Sequence, residues 1–153
     1  MAHADLDLLF DHLVTLAKKL LDSQQGFYPF GAMISIEGEI QYVAARDDDA
    51  PDIDRPDSKV LLKILQDTFQ SNVNVGAIRA FGICVDVLVT DIATARKRDA
   101  VQCSFEHLNG ESVNVFLPYS RDEGGAFVYE PPYSTDRERE VLANRIGGSN
   151  RQV

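Results

Sequence analysis

The chain is short of cysteine, of histidine, of basic charge and of long apolar runs, and each shortage removes a class of protein. Two cysteines in 153 residues cannot make a disulfide framework. Cys84 and Cys103 fall in strand-patterned runs without CxxC spacing, so they read as reduced, buried thiols, and a cytoplasmic location is the matching expectation. The three histidines do not cluster: His3 and His12 lie on one helix at a spacing that shares a face poorly, and His107 is far along the chain. Neither a structural metal nor a cofactor is expected.

Basic residues number 15 against 24 acidic ones, for a net charge of -9. Such a chain is repelled by a nucleic-acid backbone and by an anionic membrane surface, which excludes both as main partners. Arg96-Lys97-Arg98 is the one basic cluster. It reads as a solvated turn between strands, with phosphate binding as the alternative. No apolar run reaches the length needed to cross a bilayer, and Met1 to Asp5 carry neither a basic nor an apolar leader region, so a soluble protein is expected.

Catalytic signatures are equally sparse. Ser104 and Ser134 lack a GxSxG setting, and Gly124-Gly125 and Gly147-Gly148 lack the strand-turn-helix context of a phosphate loop. Neither cysteine sits beside an identifiable base or at a helix N-terminus, so thiolate chemistry has no support. The balance leans away from an enzyme.

What is present is patterning. Hydrophobic residues make up 44% of the chain, ample for one core, and a single domain over residues 1–146 with a frayed tail at 147–153 is expected. Leu6, Leu9, Phe10, Leu13, Val14, Leu20 and Leu21 recur at helical spacing between Asp5 and Ser23, with Gly26 just beyond. A second helix runs from about Asp57 to Asn72, with Val60, Leu61, Ile64, Leu65, Thr68 and Phe69 as its stripe. Ala77 to Thr90 is the longest strand pattern, apolar on one face (Phe81, Ile83, Val85, Val87, Val89) and small or mixed on the other (Ala80, Gly82, Cys84, Asp86, Leu88). Its branched face is expected to meet the helices.

Two hairpins flank that strand, and parity fixes their registers. Connecting Asp99–Tyr119 through Leu108-Asn109-Gly110, with Gly110 left-handed, sets Phe105 against Val113 and Cys103 against Val115. A two-residue Asn-Gly turn would mix the faces. By the same test, Ile36-Glu37-Gly38 joins Phe27–Ser35 to Glu39–Ala45 and pairs Ile34 with Ile40 and Ala32 with Tyr42. Ala126 to Tyr129 adds a short strand, and Thr135-Asp136-Arg137-Glu138 resembles a capping box opening a terminal helix with Val141, Leu142 and Ile146. The expected fold is α+β: one antiparallel sheet of five or six strands, helices mainly on one face, order α-β-β-α-β-β-β-α.

That order resembles the roadblock/longin and profilin-like architectures. Tyr28-Pro29-Phe30-Gly31-Ala32, Glu106-His107 and Val115-Phe116-Leu117-Pro118-Tyr119 resemble the signature of an uncharacterised family of small bacterial proteins. The resemblance implies a fold and brings no activity with it.

Three groups could carry chemistry. Asp47-Asp48-Asp49, with Asp52 and Asp54, offers carboxylates for a hard cation, although the calcium-loop spacing fails for want of the glycine and the bidentate glutamate. Asp47, Asp49 and Asp52 are the metal candidates, and the competing reading is a solubilising loop before the second helix. Asp86 is a carboxylate inside an apolar strand, and with Ser104 and Asn114 it could line a ligand pocket; the competing reading is a solvated acid on a wet sheet face. Glu106-His107 invites an acid/base reading, but neighbours in a strand point to opposite faces. Tyr28, Tyr119, Tyr129 and Tyr133 could mark a partner site or a second small core.

Three functions follow. The first is a non-enzymatic protein-interaction module, binding a partner or a second copy of itself through a sheet face or edge, since an exposed face with Phe116 and Leu88 would otherwise be a liability. The second is a small-molecule-binding or sensory domain around Asp86. The third is an acidic immunity-type inhibitor of a basic protein, motivated by charge alone.

Overall fold

The computed structural model describes residues 2–24, 26–44, 58–90 and 94–136. The chain runs α1 (Ala2–Gln24), β1 (Phe30–Ser35), β2 (Ile40–Ala44), α2 (Ser58–Asn74), β3 (Ile78–Thr90), β4 (Lys97–His107), β5 (Ser112–Arg121), β6 (Phe127–Tyr129) and β7 (Tyr133–Asp136). All seven strands form one antiparallel sheet ordered β2-β1-β3-β4-β5-β6, with β7 also pairing β5. The α+β class and the order of elements through β6 are those the periodicity predicts, and β7 is a seventh strand where five or six were expected.

Both hairpin registers stand as parity requires. Ile34 opposes Ile40 and Ala32 opposes Tyr42; Phe105 opposes Val113 and Cys103 opposes Val115. Each three-residue connection ends on a left-handed glycine, Gly38 at φ 98° and Gly110 at φ 105°, a conformation in which a Cβ would crowd the next carbonyl.

The placement of the helices corrects the one-face expectation, because α1 and α2 cover opposite faces. Leu6, Leu9, Leu13, Ala17 and Leu21 of α1 pack with Ala32, Ile34, Ala80, Cys84, Val101, Cys103, Phe105 and Leu117. Leu65 and Phe69 of α2 pack with Phe81 and Ile83, which alternate with the residues beneath α1, and with Ile78, which joins them across the register shift between its pairing with Ser35 and that of Ala80 with Ile34. The branched face of β3 therefore takes α2, and its small face takes the longer helix. Size explains the choice: a Cβ on Gly82 would lie 2.9 Å from the Leu13 side chain and 2.7 Å from Phe105, so only glycine lets α1 settle this close. Each fully buried leucine of α1 contributes roughly 1.5–3 kcal/mol by leaving water.

Cys84 and Cys103 oppose one another beneath α1 as free thiols, their Sγ atoms 3.9 Å apart. Burial, then the neighbouring sulfur, pushes the Cys84 thiol well above its ordinary pKa. Thr135 and Asp136, read from the sequence as a helix cap, instead extend β7 along β5. Residues 137–153, and with them the rest of that expected helix, lie outside the described residues.

Candidate functional site

The three residues expected to share a pocket are divided by the pleat. Asp86 is in register with Val101 and faces the α1 side, whereas Ser104 is in register with Ile83 and faces the α2 side. Ser104 and Asn114 do meet, the hydroxyl donating to Asn114 Oδ1 at 2.6 Å while Gln102 Nε2 donates to Ser104 Oγ. That group is a self-satisfied cross-strand cluster without Asp86. Asp47, Asp49 and Asp52 lie outside the described residues, and among the described residues no three His, Cys, Asp or Glu side chains gather as metal ligands would.

Asp86 instead forms the floor of a different cleft, beyond the C-terminal end of α1. Its Oδ1 accepts a 2.6 Å hydrogen bond from the Tyr119 hydroxyl, and the loop after α1 passes over it, a Cβ on Gly26 falling 3.5 Å from Oδ2. The cleft holds about 480 Å³ and is lined by Asp86, Lys97, Asp99, Tyr119, Arg121 and Phe127, among others. Burial raises the Asp86 carboxyl above its ordinary pKa; the Tyr119 hydrogen bond opposes that rise, and Asp99 adds to it. Tyr119 is pushed upward in turn, first by burial and then by Asp86. The pair is a stable donor–acceptor couple at neutral pH, with the hydroxyl proton held by the phenol.

Basic residues reach this cleft because β4 begins earlier than the sequence suggests. Lys97 and Arg98, read as part of a solvated turn, are strand residues in register with Thr90 and Val89, so their side chains leave on opposite faces. Arg98 is engaged by Glu130 through both guanidinium nitrogens. Splitting the basic triplet between two faces removes the phosphate cradle that its spacing offered. Arg121 lies over the Phe127 ring, 4.6 Å from its centroid.

Glu106 and His107 point to opposite faces, Glu106 beside Phe81 and His107 beside Ala80. His107 Nε2 lies 2.8 Å from Asp5 of α1, and its Nδ1 accepts the Asn109 backbone N–H, which leaves Nε2 to donate to the carboxylate. Arg79 completes the arrangement with two hydrogen bonds to the same carboxylate. Sequence reading missed this triad because its members are far apart in the chain. The aromatic residues divide similarly. Tyr119 and Tyr129 join the core under α1, whereas Tyr28 and Tyr133 are exposed.

The liability argument for a partner also moves. Leu88 is exposed, but Phe116 is buried on the opposite face, stacked on Tyr133 at 5.3 Å. Among the described residues an edge stays open. The turn bond from Ser35 N–H to Glu39 O fixes the alternation of the β1–β2 ladder, so Gln41 and Val43 bond to β1 while Ile40, Tyr42 and Ala44 turn their N–H and C=O groups outward. Among the described residues no strand lies on that side. Half-exposed Tyr42 is anchored beside it, its hydroxyl 2.9 Å from His12 Nδ1. No helix among the described residues is long and apolar enough to cross a membrane. No family model matches the chain, and no curated protein or solved structure matches it significantly, so the likenesses drawn above rest on its own residues.

Proposed function

We propose that the chain is a non-enzymatic protein-interaction module that pairs with a second copy of itself along β2. The observation that carries this reading is the outer edge of that strand, along which no other strand lies among the described residues. Edge strands are ordinarily blunted by proline, lysine, a bulge or a cover. Ile40-Gln41-Tyr42-Val43-Ala44 contains no proline and no charge. The opposite side of the sheet is divided between the short strands β6 and β7 and, among the described residues, offers no comparable run.

The edge is self-complementary. An antiparallel pairing centred on Tyr42 sets Tyr42 against its own copy and Ile40 against Ala44, and these are the residues whose main-chain groups face outward. It joins the two sheets into one continuous layer and adds no charged contact at the seam. A cytoplasmic setting suits the reading, since Cys84 and Cys103 are free thiols.

Light scattering after size exclusion tests it, with a mass twice the 17.0 kDa of the chain expected. Tyr42→Pro removes an outward N–H and leaves the β1 ladder intact, so it should yield a folded monomer. Tyr42→Phe should remain dimeric. Gln41→Pro, which removes a ladder bond to Met33, should weaken the fold itself. A strictly monomeric wild type at high micromolar concentration, or a dimer that survives Tyr42→Pro, refutes the assignment.

A further inference from the structure

We propose that the cleft over Asp86 and Tyr119 binds a short zwitterion, an ω-amino acid or a dipeptide, with its ammonium inward and its carboxylate outward. The cleft lies on β3 to β6, away from the β2 edge, so the inference is independent of self-pairing.

The register orders its charges by sign. Asp86 lies on the innermost row, opposite Val101. Asp99 and Tyr119 oppose each other on the next row outward. Lys97 follows two residues before Asp99, and Arg121, in register with Phe127, two residues after Tyr119, which puts both cations on the outermost row of the same face. Successive rows are about 7 Å apart along the strands. Half-buried Asp86 thus occupies the inner end of the cleft, exposed Asp99 its middle, and exposed Lys97 and Arg121 its outer end. A simple anion held by Lys97 and Arg121 would sit one row from Asp99 and leave Asp86 unmet, and a simple cation on Asp86 would be opposed by Lys97 and Arg121 at the entrance. A molecule carrying both charges a few ångströms apart satisfies both ends.

The groups are also available. Among the described residues, Lys97 and Asp99 make no ion pair and Arg121 is engaged only by the Phe127 ring. Tyr119 already donates to Asp86 Oδ1, which leaves Oδ2 as the acceptor for an entering ammonium. The Phe127 ring supplies an apolar wall for the connecting methylenes.

Titration of isotope-labelled protein with γ-aminobutyrate and with glycylglycine, followed by amide chemical shifts, tests the proposal. At least one should saturate, with shifts confined to the strands around Asp86, Lys97, Tyr119 and Phe127. Butyrate and butylamine, each lacking one charge, should bind about tenfold or more weakly. Asp86→Asn and Arg121→Gln should each weaken binding about tenfold, while amides away from the cleft keep their positions and so report an intact fold. Failure of both probes to saturate overturns the proposal. So does equal binding of the singly charged analogues, or affinity unchanged in both variants.

Discussion

Asp5 is the residue on which the most distant parts of the chain converge. Burial alone would raise its carboxyl, but the hydrogen bonds from Arg79 and His107 outweigh that and leave it below its ordinary 3.8. A carboxylate whose folded pKa is depressed adds stability that is complete above the unfolded value of about 3.9 and is lost as pH falls through the folded value. Asp5→Asn should therefore lower stability by about 1–3 kcal/mol at neutral pH, with the gap to wild type closing below about pH 4. Urea midpoints at a series of pH values measure this, and a gap independent of pH would show that Asp5 acts through packing alone. None of this triad is legible in the sequence, where Asp5 and His107 are 102 positions apart. Asp86 was conspicuous for the right reason, a carboxylate in an apolar strand, and its true partner Tyr119 could have been found by extending the parity of β4 and β5 two residues beyond Val101 and Leu117.

At the scale of elements, the two hairpins were legible because a slip of one residue exposes every apolar side chain. The faces taken by the helices were not. β3 is apolar on both sides, Phe81, Ile83 and Val85 against Ala80, Gly82 and Cys84, so alternation could not say which side each helix covers. The discriminating signal was size, and Gly82 carried it. Gly82→Ala should cost about 1–3 kcal/mol, because its Cβ would meet Phe105 and Leu13 within 3 Å. Gly31→Ala should cost more, since its Cβ would fall 2.6 Å from the main-chain oxygen of Gly82, which cannot turn aside as a side chain can. Chemical denaturation ranks the two, and the reverse order would mean that the strands separate more readily than α1 lifts. The terminal capping box misled for a related reason: Thr135-Asp136 matches a local motif, but the unpaired side of β5 outweighs it by offering a ladder to Tyr133–Asp136.

For the whole molecule, charge and edge act against each other. Two copies each carrying -9 repel, and the repulsion decays over about 10 Å at moderate salt. Pairing through an uncharged strand should consequently tighten as ionic strength rises, the opposite of what a charge-driven complex with a basic partner would do. Sedimentation at low and high salt distinguishes them, and weakening with salt would favour the inhibitor reading over self-pairing. The cysteine pair bears on the same whole. With both sulfurs sealed between α1 and the centre of the sheet, any reagent or oxidant must first part helix from strands, so modification at these atoms keeps a chemical memory of each time the interior was breached.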